Sequence, residues 1–160
     1  MGPPGCVDVP RQLVMFRVGP TRYGLDIETV DEILIPPAIT RVPRGPGGML
    51  GLAQVRDRVL PVFDLHWKFS VDRTTVGAAS RMIVVEIDGE PVALLVDNVD
   101  EVAMVEPAAF QDVRPPGDPG DLSYLAGVVR WGDDLVLWVD PQRLVPRAVA
   151  LAGKRARATA

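Results

Sequence analysis

Along most of this chain apolar positions alternate with polar ones at a period of two, the pattern of strands half buried in a sheet. Leu13-Val14-Met15-Phe16-Arg17-Val18 is an apolar, β-branched and aromatic run that stops at Gly19-Pro20, which is turn chemistry. Tyr23-Gly24-Leu25-Asp26-Ile27 then resumes the alternation, so residues 13–27 predict a hairpin. The same shape returns as Met82–Ile87, a turn at Asp88-Gly89-Glu90, and Val92–Val96. Asp-Gly between two such runs is a strong short-range hairpin signal. Two further strand pairs follow the same logic, 52–55 with 59–63 and 125–129 with 135–139, the latter joined by Trp131-Gly132-Asp133-Asp134. In 135–139 Trp138 alternates against Val139, so one of the two is expected to face outward or into a partner, with core packing the plainer role for Trp138. Trp131, in a turn beside Gly132, is expected to be partly exposed. Asp64–Phe69 and Asp140–Val145 each open on an aspartate and predict short helices.

The pattern is made twice. A shift of 69 positions carries Leu25 onto Leu94, Ile27 onto Val96, and Val30-Asp31-Glu32-Ile33 onto Val99-Asp100-Glu101-Val102. A shift of 76 carries Gly51-Leu52 onto Gly127-Val128, Leu60 onto Val136 and Asp64 onto Asp140. The seven extra residues fall to the connector Pro115–Asp121. Each copy then holds a hairpin, a Val-Asp-Glu segment, a proline-rich crossing and a second strand pair. Short strands with Gly/Pro turns, made twice, predict an all-β fold of two small closed barrels with short helices. A copy of about 65 residues buries too little alone, so the two should pack together. The expected division is a disordered N-terminus over 1–11, barrel one over about 12–70, a linker at Val71–Ser80, barrel two over about 81–146, and a tail over 147–160.

Composition narrows the class. At 160 residues, 48% hydrophobic and 24% charged, the chain is globular, and 16 prolines with 15 glycines are too many for a helical bundle. The net charge of −4 argues against nucleic acid, since the one compact basic cluster, Lys154, Arg155 and Arg157, reads as a solvated tail. Cys6 is the only cysteine, which leaves no intramolecular disulfide and no thiolate metal cluster. No secretory signal is present at the N-terminus, and apolar runs such as Val92–Val96 are too short to insert in a membrane. A cytoplasmic protein is the expectation.

Catalytic chemistry finds no foothold. No Gly-Lys-Ser/Thr exists for a phosphate loop, and the glycine-rich Arg44–Gly51 misses the dinucleotide fingerprint by one position. His66 is the sole histidine and reads as a packed or surface side chain, not a general base. Ser70, Ser80 and Ser123 lie in no nucleophile elbow. The acidic groups Asp31-Glu32, Asp97/Asp100-Glu101 and Asp133-Asp134 could in principle hold a hard cation, but adjacent carboxylates on a strand point to opposite faces and converge poorly on a metal. The sequence predicts no enzyme, no cofactor and no metal site, and binding becomes the leading function. A groove between two small barrels could take a partner's helix through apolar contacts flanked by charge.

Several motifs in order resemble one family. Phe16-x-Val18-Gly19, Tyr23-Gly24-Leu25-x-Ile27 and Val30-x-Glu32-Ile33 are similar to the opening signature of the CheW chemotaxis coupling proteins. Gly51-Leu52-x-x-Val55-Arg56-x-x-Val59-Leu60-Pro61-Val62-Phe63-Asp64-Leu65 resembles that family's most recognisable stretch. Leu94-Leu95-Val96-Asp97-x-Val99-x-Glu101-Val102, Tyr124-Leu125-x-Gly127 and Leu135-Val136-Leu137-x-Val139-Asp140-x-x-x-Leu144 follow suit, so the likeness covers roughly residues 12–146.

The resemblance implies two five-stranded SH3-like barrels in pseudo-twofold arrangement. It also implies a non-catalytic adaptor between the cytoplasmic tip of a methyl-accepting chemoreceptor and the regulatory domain of a CheA-type histidine kinase, with other CheW-like proteins as further partners. By position it implies a receptor-facing groove involving Val30, Glu32, Ile33, Gly51, Arg56, Val96 and Val99. Ordinary core is the alternative for the valines, and a solvated turn the alternative for Arg56. Kinase contacts are expected on barrel edges and loops. One departure stands out: the family's usual Asn-Leu-Arg-Gly is Gln54-Val55-Arg56-Asp57 here, which should alter the turn and lets Asp57 neutralise Arg56. The chemosensory system served, flagellar or otherwise, is open at this stage, and a small-ligand sensor is the alternative of a different class.

Overall fold

The computed structural model describes residues 8–43, 48–69, 76–111 and 123–145. Expectations for Cys6, the Pro115–Asp121 connector, residues 71–75 of the linker and the 147–160 tail lie outside the described residues. The expected strand pairs are all present. Strands β1 (Arg11–Val18) and β2 (Thr21–Asp26) form the first hairpin, and β7 (Arg81–Ile87) and β8 (Glu90–Val96) the second. Asp88 and Gly89 take φ values of 52° and 82°, the paired left-handed geometry that an Asp-Gly hairpin turn favours. Strands β5 (Met49–Val55) with β6 (Arg58–Asp64) and β11 (Leu125–Trp131) with β12 (Asp134–Val139) are the second pair of each copy. The Val-Asp-Glu segments are also strands, β3 (Val30–Leu34) and β9 (Asn98–Val105), and short strands β4 (Ile39–Arg41) and β10 (Phe110–Gln111) follow them. The helix α1 (Leu65–Lys68) follows β6, and a 3-10 turn at Pro141–Arg143 occupies the corresponding place in the second half.

These strands form two six-stranded sheets, ordered β10-β11-β12-β2-β1-β9 and β3-β7-β8-β6-β5-β4. The division at the 71–80 linker is therefore corrected. Each sheet takes one hairpin from one half of the chain and the other four strands from the other half. The cause is the brevity of two corners. Only the 3-10 turn Ile27–Thr29 separates β2 from β3, and only Asp97 separates β8 from β9, so the chain is sent on into the other sheet. Each hairpin then docks by a parallel pairing, β2 on β12 through Tyr23↔Leu137 and Gly24↔Trp138, and β8 on β6 through Ala93↔Val62 and Leu94↔Phe63. The count of five strands per barrel also rises to six once the short β4 and β10 are included.

The registers carry the duplication into three dimensions. Shifting by 69 carries the Phe16↔Tyr23 pair onto Val85↔Val92, and shifting by 76 carries Gly51↔Val62 onto Gly127↔Trp138. Irregularities recur too: the break between Met49 and Gly51 matches that between Leu125 and Gly127. The bulge between Val30 and Glu32 opposite Val85 and Val84 matches that of Val99 and Glu101 opposite Phe16 and Met15.

Burial follows from alternation with both faces covered. On β1, Val14 and Phe16 enter a core shared by the two sheets, while Leu13 and Met15 enter a core within their own sheet. On β8, Val92, Leu94 and Val96 face the shared core, and Ala93 and Leu95 the interior of the other sheet. The same geometry corrects the expectation for Trp138 and Val139. Both are buried, Val139 in the shared core and Trp138 against Phe110 at 5.0 Å between ring centroids. Trp131 is partly buried, as expected.

A run of rings closes one end of the shared core. Phe16 stacks on Tyr23 at 5.7 Å, Tyr23 on Phe69 at 4.1 Å, and Phe69 meets Tyr124 at 5.1 Å. Burial first, and the neighbouring Tyr124 second, push the Tyr23 phenol from 10.0 up to about 12. The protonated phenol is thus favoured by folding. Its contribution is complete below the unfolded titration and is lost as pH climbs from about 10 to about 12. Alkaline unfolding followed by circular dichroism should show wild-type stability falling by about 2 kcal/mol more than that of Tyr23→Phe across this interval. Parallel curves for the two proteins would refute that assignment.

A candidate partner-binding edge at Glu32 and Arg56

Strand β3 lies at the edge of its sheet, paired on one side with β7. The bulge between Val30 and Glu32 re-aims the strand. Val30 stays half buried and packs on the shared core, whereas Ile33 emerges into solvent. Glu32 is partly buried and meets Arg56 of the β5–β6 turn, with Nη2 to Oε2 at 2.9 Å. This ion pair ties the edge strand to a turn three strands away in the sheet order.

Arg56 has φ 57°, a left-handed conformation uncommon for a side chain of its size. A shift of 76 puts Gly132 at the same place, with φ 61°, so the turn geometry demands positive φ and only the second half meets it with glycine. Asp57 is not among the positive-φ residues, so the left-handed demand falls on the first central position of the turn alone. The altered Gln54-Val55-Arg56-Asp57 turn therefore concentrates strain on the arginine. Arg56 pairs with Glu32, not with the neighbouring Asp57 that was expected to neutralise it. An exposed pair of this kind contributes under about 1 kcal/mol to stability.

The other expected residues divide. Val99 is half buried on β9 against the shared core. Val96 is fully buried in that core, so it is corrected from a groove residue to a core residue; its alternation on β8 puts it on the inner face. Gly51 is also buried, and its role is close approach. A Cβ there would run into the Thr40 carbonyl and lie 2.8 Å from Thr40 C and 2.9 Å from Arg41 Cα, so glycine lets β4 cross onto β5.

The sequence reading passed over a second feature. Ile33 is 37% exposed and Ile35 72%, and their counterparts at a shift of 69, Val102 and Met104, are 43% and 56% exposed. Val59 and Leu135, related by 76, are likewise both exposed. Exposed apolar residues thus recur in both halves, Ile33, Ile35 and Val59 in one and Val102, Met104 and Leu135 in the other. The available signal was the repeat itself: apolar residues recur at paired positions on strands whose outer face should be polar. Beside Met104 lies a cavity of about 390 Å³, where Arg11 meets Asp26 at 3.1 Å and burial holds the Asp26 carboxyl above its usual range despite the arginine.

Among the described residues no group of three His, Cys, Asp or Glu side chains could hold a metal ion, and no helix is long and apolar enough to cross a membrane. Comparison with known proteins bears directly on this architecture. The CheW protein of Treponema pallidum is 25% identical over 142 residues, covering 83% of this chain and 81% of its own. Protein FrzA of Myxococcus xanthus is 34% identical over 122 residues, covering 75% and 74%. The scaffolding protein TtCheW from Thermoanaerobacter tengcongensis superposes with a TM-score of 0.75 at 30% identity, covering 84% of this chain and 92% of that structure. A CheW-like domain model matches residues 12–149, and the chain, two SH3-like barrels that exchange hairpins, belongs to the CheW-like family of non-catalytic scaffold proteins.

Proposed function

We propose that this chain joins the cytoplasmic tips of chemoreceptors to the regulatory domain of a CheA-type histidine kinase in a signalling array. The observation that carries this reading is the Glu32–Arg56 pair, held on a strained turn at the edge of β3 beside exposed Ile33. A receptor tip is helical, and an edge of this chemistry suits a helix that offers an apolar stripe with flanking charge. Val30, Glu32, Ile33, Arg56 and Val99 form the proposed receptor-facing set. The exposed apolar residues that recur in both halves are the surfaces proposed for the kinase and for other CheW-like proteins.

The test is a titration of the full chain against receptor-tip and kinase regulatory-domain fragments. Arg56→Ala and Glu32→Ala should each weaken receptor binding about tenfold or more while leaving kinase binding near wild type. Arg56→Gly separates recognition from folding. It relieves the left-handed strain, so its Tm should equal or exceed that of wild type, yet it should lose receptor binding as fully as Arg56→Ala. Receptor affinity unchanged in all three variants would overturn the assignment of this edge. Failure of the wild-type chain to bind either fragment would overturn the adaptor reading.

A further inference from the structure

The second half of the chain contains an internal control for a joint in the first. Gln142 stands 76 positions after His66, and both have their backbone N–H capped by an aspartate, Asp64 for His66 and Asp140 for Gln142, each at 3.0 Å. Gln142 reaches the β7–β8 turn directly: its Nε2 donates to the Glu86 carbonyl at 2.7 Å, and its Oε1 accepts from Asp88 N at 3.3 Å. Gly19 of the β1–β2 turn corresponds to Asp88 at a shift of 69. There the gap is spanned by two side chains. His66 Nε2 lies 2.7 Å from Asp97 Oδ1, and Asp97 Oδ2 accepts from Gly19 N at 2.7 Å. The Asp97 N–H also donates to the Arg17 carbonyl at 3.0 Å.

Each member belongs to a different part of the fold. His66 lies on α1 after β6, Gly19 in the β1–β2 turn of the other sheet, and Asp97 is the single residue by which the chain passes from β8 to β9. We propose that His66 and Asp97 form a pH-responsive joint that fixes one sheet against the other, tight when the imidazole is protonated and looser when it is neutral. A carboxylate only accepts, so Nε2 must carry the proton in this contact. The carboxylate makes this bond charge-assisted in either state, and protonating the ring adds the attraction of an ion pair, so the contact is stronger with the imidazolium. Histidine is the side chain that changes charge between pH 5 and 8, and His66 is only 8% exposed, which spares the bond much competition from water.

The charged groups linked to the joint are Asp64 at the end of β6, which caps His66 N, Arg17 of β1, whose carbonyl accepts from Asp97 N, and Asp100 of β9, which lies 3.0 Å from the guanidiniums of both Arg17 and Arg22 of β2. The phenols of Tyr23 and Tyr124 approach through Phe69, just beyond α1. Among these side-chain types it is the imidazole whose ordinary charge change falls in that interval, and it is the group proposed to move the joint. At the corresponding place the second half uses the amide of Gln142, which has no titration to transmit.

Amide and imidazole NMR spectra of the full chain, from about pH 5.5 to pH 8, test this for wild type, His66→Gln and Asp97→Asn. In wild type the Gly19 amide and the His66 ring should titrate with one midpoint, while the Gly132 amide stays still. In His66→Gln the Gly19 titration should vanish. Over the same interval wild-type Tm should fall by about 2 °C or more beyond any fall in His66→Gln. Asp97→Asn should uncouple Gly19 from the ring, and if that variant does not fold, the comparison with His66→Gln decides alone. A Gly19 titration that persists in His66→Gln, or parallel Tm curves, would overturn the joint. None of these readouts depends on the receptor or kinase assignments.

Discussion

Gly51→Ala should destabilise the chain by about 3 kcal/mol or more, whereas the corresponding Gly127→Ala should cost about 1 kcal/mol. The two glycines sit at matching breaks in matching strand pairs, so local sequence effects largely cancel. The difference lies in what the new methyl group meets. At Gly51 the obstacle is backbone, the Thr40 carbonyl and Arg41 Cα of β4, and relief requires β4 to leave its place on β5. At Gly127 the nearest atoms are the Gln111 carbonyl oxygen at 3.0 Å and Trp138 Cε3 at 3.1 Å, and a few tenths of an ångström of movement suffice. Neither glycine has a left-handed φ, so the comparison isolates steric fit. Urea denaturation of both variants measures it. Equal losses would show that β4 moves freely and that the crossing is not constrained by Gly51.

Phe16→Ala should cost about 3–5 kcal/mol, the range for emptying a large aromatic from a core. Phe16 is fully buried at the shared core and begins the ring sequence through Tyr23 and Phe69 to Tyr124. Its removal leaves a cavity where both sheets meet, with strands hydrogen-bonded on either side of β1 resisting collapse. Val85 is its counterpart in the other hairpin, equally buried, and Val85→Ala removes far less volume, so about 1–2 kcal/mol is expected there. Thermal unfolding of the pair provides the measurement. A Phe16→Ala loss no larger than that of Val85→Ala would mean the shared core relaxes around the missing ring.

The sequence was most informative where local chemistry decides structure. Alternation, together with Gly19, Asp88-Gly89 and Gly132, located the hairpins to within a few residues, and the two shifts read from the sequence recur in the registers and bulges of the fold. Alternation reports which way a side chain points but not which strand lies beside it. Nothing in residues 13–27 says that β2 pairs with β12 instead of a strand of its own half, so the exchange of hairpins was not legible. Val96, named from resemblance with ordinary core as its alternative, lies on a strand covered on both faces, which has no outward side for alternation to reveal. At the candidate edge, Glu32 and Arg56 could be named from resemblance, but their 2.9 Å contact depends on a bulge and a left-handed turn that only coordinates reveal.

Neither half owns a complete sheet, because each sheet draws one hairpin from the other half. One half on its own could complete its sheet only by trading hairpins with a second copy, so the two halves are bound to fold together. The two ends of the joined molecule are nonetheless not alike: glycine stands at 132 where arginine stands at 56, and glutamine at 142 where histidine stands at 66.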